Sequence, residues 1–105
     1  MVRADVSWSG GITATMKTAH LAESFGVQCE IHTAIYHPLE LVNFHCCAAI
    51  KNSEFFEVLV PYDYFNFGLK ESIKVKDGLA HLPSKPGLGI DFDWDFIDNS
   101  TFKKY

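Results

Sequence analysis

Three short apolar runs are separated by two segments of helical periodicity, and this alternation restricts residues 2–60 to one class of fold. Residues 2–8 are apolar-rich and β-branched and stop at Ser9-Gly10-Gly11, which reads as a buried strand closed by a tight turn. Residues 12–25 carry Ile12, Met16, Ala19 and Ala22 at helical spacing. Thr13, Lys17, Glu23 and Ser24 fall on the water side, and Gly26 stands where a helix C-cap is wanted. Residues 27–31 form the next strand candidate. A second helix is expected over 39–50, with Leu39, Val42, Cys46 and Ala49 on its apolar face and Pro38 near its start. Lys51-Asn52-Ser53 breaks it, and the apolar, aromatic stretch 54–60 fits a third strand. Strand, helix, strand, helix, strand with short connections is the pattern of parallel βαβ units, so the fold class is α/β.

The character changes at Pro61, dividing the chain into 1–60 and 61–105. Residues 62–68 form an aromatic loop. Residues 72–75 and 79–82 flank Lys76-Asp77-Gly78, whose Asp-Gly pair signals a hairpin turn. A Pro/Gly loop follows at 83–89, and the acidic, aromatic tail 90–105 has room for a short helix near 94–97.

At 105 residues the chain makes one domain at most, and its 48 % hydrophobic content is enough for a packed core and too apolar for disorder. Its net charge of −4 comes without any Lys/Arg block, so neither nucleic acid nor an anionic membrane is expected as a partner. The three cysteines, Cys29 and the adjacent Cys46 and Cys47, do not make a disulfide framework. With no apolar run near the roughly 18 residues that span a bilayer, and no apolar signal-peptide core after Met1, a cytoplasmic location is expected.

Asp5, near the end of the first strand, and His32, closing the second, lie one βα unit apart, so neighbouring strand ends can bring them together. A carboxylate beside an imidazole fixes the tautomer and favours the protonated ring, which suits proton transfer. Taken alone, such a pair is more often a surface carboxylate and an ordinary histidine. Glu57, on the third run, and its competitor Glu54 are further acids; the plain reading is a strand-end carboxylate facing solvent. Glu30 alternates with His32, so both can point the same way, either toward a substrate or into a salt bridge. His32, His37, His45, Cys46 and Cys47 do not read as a zinc site. Four ligands must converge, whereas consecutive helical residues such as Cys46 and Cys47 diverge by about 100°. Gly10-Gly11 before a helix suits an anion, but the needs of the turn account for it.

The ordered set Gly10-Gly11-Ile12-Thr13, Lys17, Ala19, Leu21-Ala22-Glu23, Gly26, Glu30-Ile31-His32, Asn43, His45, Ala48-Ala49-Ile50, Asn52, Phe55-Phe56-Glu57 and Pro86-Gly87-Leu88-Gly89 resembles the enolase superfamily over nearly the whole chain. The resemblance is to the mandelate racemase/muconate lactonizing enzyme type. It implies the C-terminal part of a (β/α)7β TIM-like barrel. Residues 1–60 would supply strands six to eight, and 61–105 would return to a capping domain that, like the early barrel, is absent. A truncated or excerpted chain is therefore expected, inactive by itself.

The same resemblance implies removal of the proton α to a carboxylate, with the enediolate held by Mg²⁺ on carboxylates of earlier strands and no metal ligand in this chain. His32 and Asp5 would be the acid/base dyad, Glu57 would hydrogen-bond the substrate or enediolate, and Glu30 would touch the substrate. The spacing from His32 to Glu57 is longer than in mandelate racemase. The 30–32 and 55–61 stretches lean toward a sugar-acid dehydratase, in which the histidine also protonates the departing 3-hydroxyl. The expected partner is a small carboxylate or sugar acid, with the parent enzyme a homo-oligomer. The alternatives are a racemase or epimerase of the same type, or a non-catalytic α/β module that binds a partner through exposed barrel edges.

Overall fold

The computed structural model describes residues 1–33, 38–65 and 67–104. Its first half is one βαβ unit followed by a helix: β1 (Val2–Ala4), α1 (Ile12–Ser24), β2 (Cys29–Ile31) and α2 (Leu39–Ala49). β1 and β2 pair in parallel, with Val2 opposite Cys29, Arg3 opposite Glu30 and Ala4 opposite Ile31. The His32 N–H carries the ladder one step further, donating to Ala4 O at 2.8 Å.

Small residues let α1 lie close on this sheet. Ala4, Ala19, Ala22, Cys29, Ile31 and Ile50 form a buried cluster, with Met16, Val27 and Cys47 packed against it. Ile31 is fully buried, a burial that stabilises by about 1.5–3 kcal/mol on transfer grounds. α1 ends in a Schellman arrangement, in which Val27 N–H donates to Ala22 O and Gly26 N–H to Glu23 O, both at 2.9 Å. Its buried face is Thr15, Ala19 and Ala22; Ile12, expected inside, is exposed.

The second half is α3 (Tyr62–Phe65), β3 (Lys74–Lys76), β4 (Leu79–His81) and α4 (Trp94–Ser100). β3 and β4 form the expected antiparallel hairpin around Asp77-Gly78, both at positive φ. α4 runs three residues beyond the expected 94–97, and Asp93 caps it by accepting from Phe96 N–H at 3.0 Å. A second cluster of Leu41, Phe44, Leu69 and Ile73 joins this half to α2. No helix among the described residues is long and apolar enough to cross a membrane.

Three further expectations need correction. The first strand stops at Ala4 rather than residue 8, because 5–11 turn over on themselves: Ser9 N–H donates to Asp5 O and Gly11 N–H to Val6 O, each at 2.8 Å. Stretch 54–60 forms no ladder. It approaches β2 through Cys29 N–H to Asn52 O at 2.7 Å, but beyond that the partner of the Thr33 N–H is the Glu57 side chain at 2.9 Å, not a main-chain carbonyl. α2 is turned from its expected face: Glu40, Leu41, Asn43, Phe44 and Cys46 are buried, while Leu39 and Ala49 are exposed. The helix is apolar nearly all round, so periodicity could not choose the face; the hydrogen bonds of Asn43 do.

Candidate active site

The site forms where β1 and β2 end side by side. Asp5 follows β1 and is fully buried. One carboxylate oxygen, Oδ1, accepts from Ser7 N–H at 2.8 Å and Ser7 O–H at 2.9 Å. The other, Oδ2, lies 3.4 Å from His32 Nδ1. Burial by itself pushes the Asp5 pKa up, but the Ser7 N–H, the Asn43 side chain, the Ser7 hydroxyl and His32 together outweigh it and hold the group below its ordinary 3.8. A carboxylate so placed stays ionised at neutral pH and draws the imidazole proton onto Nδ1, which leaves Nε2 as the basic nitrogen.

Nε2 faces a second carboxylate: Glu57 Oε2 lies 3.8 Å away. The same oxygen accepts from Thr33 N–H at 2.9 Å, and Glu57 Oε1 is 3.4 Å from Arg3 Nη2. Arg3 Nε also pairs with Glu30 Oε2 at 3.0 Å, and Glu30 first, then Glu57, raises the Arg3 pKa. Glu30 is thus engaged in a salt bridge to its register partner, two residue pairs back along the strands from Asp5 and His32. Glu54 lies away from this group, its Oε1 accepting from Gln28 Nε2 at 3.3 Å.

Asp5, His32 and Glu57 therefore converge, and Glu30 joins them through Arg3. Four other residues shape the site. Ser7 donates to Asp5 from both its N–H and its O–H, and Thr33 donates to Glu57 from its main-chain N–H. Trp8 stacks on the His32 ring with centroids 4.7 Å apart and planes 23° from parallel. Asn43, fully buried on α2, accepts from Val6 N–H and donates to His32 O, both at 3.0 Å. The signal for Asn43 was a polar residue among apolar neighbours in a helix; for Arg3 it was strand alternation with Asp5. Ser7 and Trp8 follow from the turn, which carries no such signal.

A Mg²⁺ site needs several oxygen ligands at one point. Among the described residues no three His, Cys, Asp or Glu side chains group to hold a metal ion. The carboxylates nearest His32 are already engaged, Asp5 by Ser7 and Glu57 by Thr33 and Arg3. The described residues do not fit this metal. His37, one of the sequence-level cluster of histidines and cysteines, lies outside the described residues.

Residues 1–96 match the family model described as enolase C-terminal domain-like. The chain is 34 % identical to arabinonate dehydratase of Saccharolobus solfataricus, over 100 % of this chain and 27 % of that protein. Among solved structures, a protein of mandelate racemase/muconate lactonizing enzyme type from Pseudovibrio sp. superposes with a TM-score of 0.92 at 32 % identity, covering 99 % of this chain and 28 % of that one. D-glucarate dehydratase from Agrobacterium tumefaciens, crystallised with magnesium, gives a TM-score of 0.70 at 41 % identity, over 86 % of this chain and 24 % of its own. The chain spans about a quarter of the length of the curated relatives it matches.

Proposed function

We infer the chemistry of this site from one premise: the chain belongs to the enolase C-terminal domain-like family. Its relatives are sugar-acid dehydratases and muconate cycloisomerases. We propose that this chain is the acid/base segment of a sugar-acid dehydratase. The observation that carries the reading is His32 held between two carboxylates, Asp5 at Nδ1 and Glu57 at Nε2.

In this reading, His32 Nε2 takes the proton from the carbon α to the substrate carboxylate. The electron pair left on that carbon forms the new C–C double bond as the C3–O bond breaks, and His32 returns its proton to the departing hydroxyl, releasing water. The enol that remains tautomerises to a 2-keto-3-deoxy acid. Asp5 holds the ring and its charge throughout. Glu57, on the Nε2 side, is assigned to the substrate, and Glu30 supports it through Arg3. We assign β1, β2 and 54–60 to barrel strands six, seven and eight, and 61–105 to the segment leading to a capping domain. Magnesium, if the whole enzyme uses it, is assigned to ligands other than the described residues.

The test is a panel of aldonic and aldaric acids offered to the enzyme that carries this segment, with the 2-keto-3-deoxy product read by NMR. Dehydration of one of them supports the reading. Racemisation or epimerisation at the α-carbon without loss of water would replace it with the racemase or epimerase reading, using the same dyad.

A further inference from the structure

Trp8 is a large aromatic left 63 % exposed, yet its indole lies flat against the His32 imidazole with centroids 4.7 Å apart. It is not a loose surface residue. The turn that carries it is pinned on both sides by Asp5: Ser7 N–H and O–H donate to the Asp5 carboxylate, Asp5 N–H donates to Ser9 Oγ at 3.1 Å, and Ser9 N–H donates back to Asp5 O at 2.8 Å. One residue, Asp5, therefore sets both the ring it contacts and the position of the indole that covers that ring.

Two long contacts, 3.4 Å to Asp5 at Nδ1 and 3.8 Å to Glu57 at Nε2, do not fix an imidazole plane. The terminal torsion of histidine is broad, and the 3.4 Å Nδ1–Asp5 contact lets the ring swing about the line joining the two groups. An indole against one face removes that swing, and its π-face also tolerates the ring when it is protonated. The charged groups around the ring are Asp5 from the end of β1 and Glu57 from stretch 54–60, the latter tied to Arg3 and through it to Glu30.

We propose that Trp8 is a positioning residue for His32, holding the imidazole plane so that Nε2 stays turned toward Glu57 and the substrate. The proposal rests on the reading of His32 as the proton-transfer group, and its test separates the two.

The first arm uses proton NMR of the 105-residue chain and needs no substrate. The His32 ring signals, identified by their loss in His32→Asn, should lie upfield of the other histidines through the indole ring current. They should move downfield in Trp8→Leu and stay largely upfield in Trp8→Tyr. His45, on α2 with Nε2 3.2 Å from Leu88 O, reports whether each variant is folded. His32 signals that do not respond to Trp8→Leu in a folded chain would overturn the proposal. The second arm is kinetic, in the enzyme that carries this segment. Trp8→Leu should lower kcat about tenfold with KM little changed, and Trp8→Tyr should restore most of it. An unchanged kcat, or a loss confined to KM, would also overturn it. The ring arm still decides the stacking if no sugar acid proves to be a substrate, a result that would count against the dehydratase reading alone.

Discussion

Asn43 holds His32 from behind: its Nδ2 donates to His32 O at 3.0 Å, while its Oδ1 accepts from the N–H of Val6, the residue after Asp5, at the same distance. A single side chain on α2 thereby fixes the main chain on both sides of the dyad. The dyad is two strand ends and a helix clamped together, and its geometry depends on a residue that does no chemistry.

Removing that clamp should be costly. In Asn43→Ala a buried Val6 N–H and the His32 carbonyl lose their partners, each at a cost of about 1–3 kcal/mol. Urea unfolding should show a lowered midpoint with little change in slope. Asn43→Asp keeps the acceptor for Val6 but removes the donor and adds a second buried carboxylate beside Asp5, so it too should destabilise at neutral pH.

Acid should act through Asp5. Its folded pKa lies below the ordinary 3.8, because hydrogen bonds from Ser7, Asn43 and His32 outweigh its burial. A carboxyl depressed in the folded state stabilises fully above its unfolded value, and that contribution is lost as pH falls below 3.8 and through the folded value. The stability gap between wild type and Asp5→Asn should therefore be constant near neutrality and close as pH falls through this range, read by urea midpoints across pH.

The periodicity of residues 2–31 was enough to place the βαβ unit, since small and β-branched residues there alternate cleanly with a capped helix. Asp5 and His32 fall at neighbouring strand ends one βα unit apart, which lets them meet, but it is the family resemblance that singles this pair out from an ordinary carboxylate and histidine. Stretch 54–60 looked like a strand from its apolar content alone. Whether such a run pairs depends on a neighbour's main chain, and here the Glu57 carboxylate takes the N–H that a ladder would have used. The α2 face and Trp8 were hidden for a related reason. Each is set by a contact between residues far apart in the chain, Asn43 with Val6 and Trp8 with His32, that no local pattern encodes.

The Pro86-Gly87-Leu88-Gly89 loop contains a sharp contrast between two glycines. Both have positive φ, 71° and 80°, but a Cβ on Gly87 would meet nothing within 4 Å, whereas one on Gly89 would overlap Pro83 Cβ. Gly87→Ala should cost about 1–2 kcal/mol, from its backbone conformation alone. Gly89→Ala should cost more, since the proline ring and main chain must also move, and thermal unfolding of the two variants should rank them in that order.

In the proposed reaction His32 moves the α-proton. In D₂O, NMR reads deuterium exchanged into the α-carbon of recovered sugar acid and deuterium taken up at C3 of the 2-keto-3-deoxy product, for the enzyme that carries this segment and for its His32→Asn variant. The wild type should exchange or dehydrate with deuterium uptake, and His32→Asn should lose the reaction by about two to four orders of magnitude. A folded His32→Asn enzyme that dehydrates the acid at the wild-type rate would remove His32 from the proton-transfer role.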